Sequence, residues 1–188
     1  MAAASICALL AQLPARAEDS TGKVAPAPIL VTMDGHYVHL GKLYYPGAEK
    51  PREPRSVVAL NFMGLKCAPC RRELPLFLEV VRGAVQSETL QKSGVGIRYF
   101  VVSTDPLSTK EALHAFLAEQ GIDPDREVLL DPYKKAAEKF GVNGIPRTFI
   151  ISPSGKILAD ISGAAEDYKT VLRKGIVAAI KEKPAAVE

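Results

Sequence analysis

Short, continuous apolar runs alternate along this chain with longer amphipathic stretches. Three of the runs, at residues 56–62, 97–103 and 128–130, contain few polar interruptions and are typical of strands buried on both faces of a sheet. Two further strands, at residues 147–151 and 157–161, flank a Ser-Pro-Ser-Gly turn, so we expect them to form a hairpin. The pattern therefore predicts a β-sheet at the centre of the protein.

The amphipathic stretches predict helices between these strands. In residues 71–85 apolar side chains recur at the spacing of one helical face, and Pro75 is expected to kink that helix. A capping box at residues 108–111 should open a second helix that ends at Gly121. A brief helix should follow Asp131. A last helix carries apolar residues at Tyr168, Val171, Leu172, Ile176 and Ile180.

The N-terminal region predicts a further hairpin. Residues 29–33 and 37–40 flank Asp34-Gly35, which is a strong hairpin signal, and the prolines and charges of residues 45–55 predict a surface loop. A hairpin, strands alternating with helices, a second hairpin and a last helix follow one another along the chain. We therefore predict an α/β fold whose central mixed β-sheet is flanked by helices and has an N-terminal β-hairpin extension.

The first 17 residues differ from the rest of the chain. They are mostly small and apolar, and they end in a small-x-small pattern of the kind that signal peptidase accepts. We therefore predict a signal peptide at residues 1–17 and an exported, periplasmic mature protein; a buried or frayed N-terminal helix is the alternative. The apolar stretch is shorter than the roughly 20 residues of a membrane span, so we expect no stable span in the mature chain.

Length and composition predict one globular domain. A chain of 188 residues can bury one substantial core, which we assign to residues 28–183. Residues 18–27 are predicted to be an extended lead-in, and residues 184–188 a frayed tail. The net charge of +3 is too small to indicate nucleic-acid binding, and we expect no such partner.

The chemistry of the chain is concentrated in Cys67 and Cys70, directly after the strand at residues 56–62. Two thiols separated by two residues can close a small disulfide when a helix begins between them. The first sulfur then lies at the helix N-terminus, where the helix dipole favours the thiolate. Such a small loop constrains little of the chain, so the pair indicates redox chemistry rather than a structural staple. A structural zinc site is disfavoured because it needs four ligands.

Three sequence blocks, at residues 58–62, 67–75 and 141–151, surround this pair: Val-Ala-Leu-Asn-Phe, Cys-Ala-Pro-Cys-Arg-Arg-Glu-Leu-Pro and Gly-Val-Asn-Gly-Ile-Pro-Arg-Thr-Phe-Ile-Ile. Together they resemble the thioredoxin fold and, more narrowly, the exported TlpA/ResA-type thiol-disulfide oxidoreductases. The resemblance runs over residues 28–180. It implies a thioredoxin-like domain whose redox-active disulfide needs no further cofactor and no metal.

The resemblance also implies roles for residues away from the cysteines. The proline that matches Pro146 is cis in that family and packs beside the disulfide, and the backbone of the preceding residue, here Ile145, pairs with an extended substrate. The chain departs from the family pattern with Lys66 in place of a usual Trp and Met63 in place of a common aromatic. Asn61 stands where thioredoxin has a buried acid, so any base must lie elsewhere.

We expect Cys67 to be the attacking and more exposed sulfur, and Cys70 to be the resolving one. Four nearby cations are expected to lower the pKa of Cys67 below the free value of about 8.5: Lys66, Arg71, Arg72 and Arg147. For Arg71 and Arg72 the alternative is an ordinary solvated helix face.

Other notable residues are assigned structural positions. The three histidines, His36, His39 and His114, are expected at the surface, and Glu73 is expected to be a charge on the helix surface. Five phenylalanines are predicted to lie in the core: Phe62, Phe77, Phe100, Phe116 and Phe149.

The sequence thus predicts a thiol-disulfide oxidoreductase that acts on protein substrates, as a reductant recharged by a membrane or periplasmic electron donor. A metallochaperone or peptide-binding module that uses the same cysteines and the groove at Pro146 is one alternative. A thiol peroxidase is another, disfavoured because the residues before Cys67 lack a Pro-x-x-x-Thr/Ser-x-x arrangement.

Overall fold

The computed structural model describes residues 19–44, 56–163, 165 and 167–182. The predictions of a signal peptide, of a loop at residues 45–55 and of a frayed tail concern residues outside this set. No helix in the described part of the chain is long and apolar enough to cross a membrane.

Seven strands of the described residues form one mixed sheet in the order β2-β1-β5-β4-β3-β6-β7. Strands β3, β4 and β5 run parallel, and the other neighbours pair antiparallel. The bounds are β1 Ile29–Thr32, β2 Tyr37–His39, β3 Ser56–Met63, β4 Gly96–Ser103, β5 Val128–Leu130, β6 Arg147–Ile151 and β7 Ile157–Ser162. The mixed sheet and both hairpins are therefore confirmed.

Six α-helices of the described residues connect or cover these strands: α1 Leu40–Tyr44, α2 Ala68–Val85, α3 Glu88–Ser93, α4 Lys110–Glu119, α5 Lys135–Lys139 and α6 Tyr168–Lys181. Helices α1 and α3 were not predicted, because five or six residues are too few to show helical periodicity. Local signals do mark α3: the Ser87 hydroxyl accepts a hydrogen bond from the Leu90 amide, and Gly94 follows the helix with a φ of +69°.

The predicted capping box at residues 108–111 is wrong. Leu107–Thr109 form a 3₁₀ turn after Pro106, so α4 begins only at Lys110. The Thr109 hydroxyl donates to the Pro106 carbonyl at 2.8 Å and caps no amide of α4. The proline therefore shapes the entry to this helix more strongly than the side-chain pattern does.

Two hydrophobic layers cover the sheet. Alternate side chains of β3 point to opposite faces, so Val57 and Ala59 pack with α2, α4 and α6, whereas Val58 and Leu60 pack with α1 and α5. We call these the α2 face and the α5 face. Four of the five predicted core phenylalanines are buried, and Phe116 is half-buried at the edge of the α2 layer.

The parallel strands determine where chemistry can occur. The carboxyl ends of β3, β4 and β5 lie at one edge of the sheet, because parallel neighbours share a direction. The chain leaves β3 at Met63 and enters α2 at Ala68, so both cysteines lie at this edge. Ligand and active sites of open α/β sheets form at such edges.

Candidate active site

Cys67 and Cys70 form a disulfide between the end of β3 and the first turn of α2. Cys67 is the N-cap residue of α2 in extended conformation, and its sulfur accepts a hydrogen bond from the Cys70 amide at 3.2 Å. Cys67 is half-buried, whereas Cys70 is 1% exposed. The helix thus begins between the cysteines, and Cys67 is the more exposed of the two, as predicted.

The loop before β6 forms the opposite side of the disulfide. The Ile145–Pro146 peptide bond is cis, Pro146 is buried, and Ile145 is half-buried. The Cys67 sulfur lies 3.7 Å from the Ile145 carbonyl oxygen. Residues 78 positions apart in the chain therefore meet at the disulfide, because β6 pairs antiparallel with β3.

A second loop, between β3 and α2, is held from two sides at Leu65. The Leu65 amide donates to an Asp105 carboxylate oxygen at 2.8 Å, and the Ser103 hydroxyl donates to the same oxygen at 2.8 Å. The Leu65 carbonyl accepts from Arg71 Nε at 3.1 Å, and the Arg71 guanidinium lies 4.5 Å from the centre of the Phe116 ring. We call this arrangement the Leu65 clamp. It secures the segment that leads directly to Cys67.

Sequence reasoning missed the Leu65 clamp, although one signal pointed to it. Asp105 follows β4 at the edge of the sheet that also carries the cysteines. Polar residues at the carboxyl ends of adjacent parallel strands converge, so Asp105 was a candidate by position. Gly64, directly before Leu65, lets this segment lie close to the Ile145 side chain. A Cβ atom at Gly64 would lie 3.0 Å from Ile145 Cδ1.

Three of the four predicted cations lie exposed beside the disulfide. Lys66 directly precedes Cys67, and Arg71 and Arg72 directly follow Cys70, within the first turns of α2. Within the described residues none of the three forms an ion pair with a carboxylate.

Arg147, the fourth of the predicted cations, does not belong to this exposed group. Its side chain is 1% exposed and forms two 2.7 Å hydrogen bonds with Asp160, from Nε and Nη2. Successive residues of β6 point to opposite faces, so Arg147 lies with Phe149 on the α5 face while Thr148 lies on the α2 face. The carboxylate of Asp160 compensates the charge of Arg147 away from the helix that carries the cysteines.

The prediction that Glu73 is a surface charge is also wrong, because Glu73 is 3% exposed. It lies three residues after Cys70 and four before Phe77, which is the spacing of one helical face. Glu73 Oε1 accepts hydrogen bonds from Asn61 Nδ2 at 3.0 Å and from the Thr148 hydroxyl at 3.3 Å. Counting Cys70 and Phe77 with the apolar stripe would have placed Glu73 on the buried side.

Burial raises the pKa of Glu73 to about 7, although hydrogen bonds from Thr148, Asn61 and Tyr168 act in the opposite direction. Its second oxygen, Oε2, is buried without a hydrogen-bond partner among the described residues. Burial also raises the pKa of the Tyr168 hydroxyl, and the nearby Glu73 adds to this shift. Glu73 is therefore a buried acid that changes protonation near neutral pH, one helical turn from Cys70.

The three histidines lie exposed, as predicted. His36 Nε2 is 3.2 Å from an Asp34 carboxylate oxygen in the tip of the β1–β2 hairpin. Over the residues that the structure describes, no group of three or more His, Cys, Asp or Glu side chains is arranged to hold a metal ion.

Several proteins with similar sequences have names that describe thiol-disulfide exchange. The thiol-disulfide oxidoreductase ResA of Bacillus subtilis is 28% identical over 161 residues, which cover 83% of this chain and 78% of that protein. A thiol:disulfide interchange protein DsbE homolog of Paracoccus denitrificans is 36% identical over 122 residues, covering 64% of this chain and 59% of that protein.

Solved structures and a family model agree with the fold. A crystal structure described as a thiol:disulfide interchange protein DsbE, from Chlorobium tepidum, has a TM-score of 0.63 at 25% identity, covering 85% of this chain and 97% of that one. The model of the AhpC/TSA family matches residues 22–159, a span that contains both cysteines, Glu73 and Pro146. The chain therefore belongs to the AhpC/TSA family and has a thioredoxin-like fold.

Proposed function

We propose that this protein is a thiol-disulfide oxidoreductase that exchanges disulfides with protein substrates through Cys67 and Cys70. The observation that carries the proposal is the disulfide itself. One sulfur is half-exposed at the N-terminus of α2 and the other is buried behind it. The names of the ResA and DsbE relatives support the same chemistry.

In the first step, Cys67 of the reduced protein attacks the disulfide of a client protein. A bond forms between the Cys67 sulfur and one client sulfur, and the other client sulfur leaves as a thiolate and takes up a proton. The N-terminus of α2 and the Cys70 amide stabilise the attacking thiolate. Ile145 offers backbone groups beside the sulfur, along which an extended client segment can lie.

In the second step, Cys70 attacks the Cys67 sulfur. The Cys67–Cys70 disulfide forms, the mixed disulfide breaks, and the second client sulfur leaves as a thiolate and takes up a proton. Cys70 must lose a proton to attack. We assign the acceptor role to Glu73, because it lies one turn along α2 and its pKa of about 7 allows proton uptake near neutral pH. Two electrons and two protons pass in all to the client.

We further propose that the protein acts as a reductant in an exported compartment. The signal-peptide pattern of residues 1–17 supports export. Each turnover leaves Cys67 and Cys70 joined as a disulfide. Because disulfides persist in such compartments, another protein must reduce this one before the next turnover. Its second partner is therefore a membrane or periplasmic electron donor.

Single cysteine variants test the exchange reaction. Reduced Cys70→Ala, mixed with a peptide that contains an internal disulfide, should accumulate a mixed disulfide detectable by mass spectrometry, because nothing resolves it. Wild type should release reduced peptide, and Cys67→Ala should form no adduct. An adduct on Cys70 in the Cys67→Ala variant, or no adduct in either variant, contradicts the assigned roles.

The redox potential tests the direction. Equilibration of the wild type with glutathione or dithiothreitol buffers, followed by thiol counting, should give a value near that of thioredoxin, roughly −270 mV. A value near −120 mV, which is typical of a strong disulfide donor, contradicts the reductant proposal while leaving the exchange reaction intact.

A further inference from the structure

Positive charge is in excess beside the disulfide. Lys66, Arg71 and Arg72 are exposed, and none of them forms an ion pair with a described carboxylate. Several exposed cations away from the disulfide do have such partners: Lys92 with Glu88, Lys135 with Glu138, Lys156 with Glu182, and Lys169 and Arg173 with Glu79. The surface around the reactive sulfur thus carries free positive charge.

The acids near this edge offset only part of it. Asp105 is half-buried and accepts hydrogen bonds from the Leu65 amide and the Ser103 hydroxyl, and neither of these donors carries a positive charge that would balance its carboxylate. Glu111 is exposed in the first turn of α4 and forms no ion pair with a described residue. Glu73 is buried on the side of α2 that faces the sheet. Three exposed cations therefore outnumber the two acids Asp105 and Glu111.

Arg71 is held in place while its terminal nitrogens stay available. Its Nε donates to the Leu65 carbonyl and its guanidinium lies over Phe116, which fixes the plane of the group. Neither Nη atom donates a hydrogen bond within the described part of the chain. A fixed guanidinium with free terminal donors suits bidentate binding of a carboxylate.

The distance between Arg71 and Cys67 decides which client side chains Arg71 can reach. Arg71 lies four residues after Cys67, which is about 6 Å along the axis of α2. An extended client rises about 3.3 Å per residue, so a side chain two positions from the client cysteine lies about 7 Å from the attacked sulfur. Such a side chain is within reach of an arginine.

We propose that the clients carry Asp or Glu within about two residues of the cysteine that Cys67 attacks, with that carboxylate bound by Arg71 and attracted by Lys66 and Arg72. This inference rests on the proposed function, since it names the substrate class of the same site. The apolar Ile145 side of the groove contacts the client backbone, and the cationic side selects its charge.

Three matched peptides test the proposal. Each contains the same internal disulfide, flanked by two Glu, two Gln or two Lys residues, and its rate constant with the reduced wild-type protein is measured at low salt. We expect the Glu peptide to react about tenfold faster than the Gln peptide and the Lys peptide to react slowest, since each exposed pair contributes modestly and the three act together. At 1 M KCl, where the Debye length is about 3 Å, the differences should largely vanish.

Variants assign the effect to Arg71. In Arg71→Gln the ratio of Glu-peptide to Gln-peptide rates should fall several-fold, and Arg71→Lys should restore it only in part, because a lysine cannot bind bidentately. This ratio is independent of any change in the reactivity of Cys67, which acts on both peptides equally. The control Lys92→Gln removes one exposed charge from α3, at the other end of the sheet, and should leave the ratio unchanged.

The outcomes separate this inference from the proposed function. Equal rates for the three peptides, or a preference for the Lys peptide, overturn the acidic-client proposal while disulfide exchange stands. An unchanged ratio in Arg71→Gln also overturns it. Failure to reduce both the peptides and hydroxyethyl disulfide, a neutral small disulfide, overturns the proposed function and with it the inference.

Discussion

At the scale of single residues, Glu73 shows how position on a helix outweighs residue type. Glu73 follows two arginines and precedes Leu74, a composition that is typical of an exposed helical turn. Its spacing from Cys70 and Phe77 nevertheless places it on the buried face of α2. There Asn61 and Thr148 bind one oxygen and leave the other without a partner among the described residues. The position that bears the buried acid in thioredoxin is Asn61 in this chain, and a carboxylate from the facing helix now contacts it.

Glu73 should make the stability of the oxidised protein depend on pH. The pKa of Glu73 is about 7 in the folded protein and near 4.5 in the unfolded chain, so the folded state binds its proton more tightly. The contribution of this group to the free energy of unfolding is complete below pH 4.5 and is lost as the pH rises through about 7. The loss is on the order of 3 kcal/mol. Urea unfolding at pH 5 and pH 8, compared between wild type and Glu73→Gln, measures it.

The Glu73→Gln variant cannot ionise at this position, so its stability should fall less than that of wild type between these pH values. Glu79→Gln is the matched control on the same helix. Glu79 is exposed, and its hydrogen bond with Lys169 lowers its pKa, so its titration lies below the tested range. Parallel pH profiles for wild type and Glu73→Gln would show that Glu73 is not the responsible group.

At the scale of elements, the segment between β3 and α2 is ordered by its neighbours as well as by a local turn, in which the Cys67 amide donates to the Gly64 carbonyl at 3.0 Å. Its Met-Gly-Leu-Lys residues have no strong turn signature, and the Leu65 clamp supplies the missing restraints from β4, α2 and α4. The short helices α1 and α3 illustrate the same limit. Their periodicity covers too few residues to be recognised, and packing against the rest of the fold stabilises them.

Asp105→Ala should loosen this segment. It removes the acceptor of the Leu65 amide, and a lost hydrogen bond to a charged group costs about 1.5–3 kcal/mol. We expect lower hydrogen-exchange protection of the Leu65 amide and a slower reaction with hydroxyethyl disulfide, because Cys67 is held less firmly. Asp105→Asn keeps an acceptor oxygen and should recover part of both properties.

Asp123→Ala is the matched control for Asp105→Ala. Asp123 accepts a hydrogen bond from the Asp125 amide in an exposed turn after α4, so its loss should change neither property. Unchanged protection of the Leu65 amide in Asp105→Ala would mean that the Leu65 clamp does not order the segment in solution.

At the scale of the whole molecule, the buried Arg147–Asp160 pair joins parts of the chain that are distant in sequence. It connects β6 to β7, Asp160 also accepts a hydrogen bond from the Ser20 amide at 2.7 Å, and Arg147 donates to the Gly141 carbonyl at 3.4 Å. The pair thus ties the N-terminal lead-in and the loop before Pro146 to the sheet.

Removing one partner of this pair should cost far more than removing one partner of a surface pair. Asp160→Asn removes the carboxylate that binds Nε and Nη2 of the buried Arg147, and we expect the free energy of unfolding to fall by about 3–5 kcal/mol. Glu138→Gln breaks the exposed pair with Lys135 and should cost less than about 1 kcal/mol. Urea unfolding at pH 7 gives both values. Similar small losses in the two variants would contradict a structural role for the buried pair.

Local patterns in the sequence were enough to predict the main strands, the longer helices and the reactive pair. Apolar runs and turn residues act over a few neighbouring positions, so the main strands, both hairpins and the helix that begins between Cys67 and Cys70 follow from local patterns. The three-block resemblance predicted the thioredoxin-like fold.

The surroundings of that pair depend on how distant parts of the chain pack together. Glu73 is a buried acid, and Arg147 is a cation that pairs with Asp160 on the opposite face of the sheet. Asp105 supports the segment before Cys67. The physical reason is that burial, charge compensation and the pKa of a side chain depend on which distant element covers it. That depends on sheet order and strand direction, which no local pattern of residues contains.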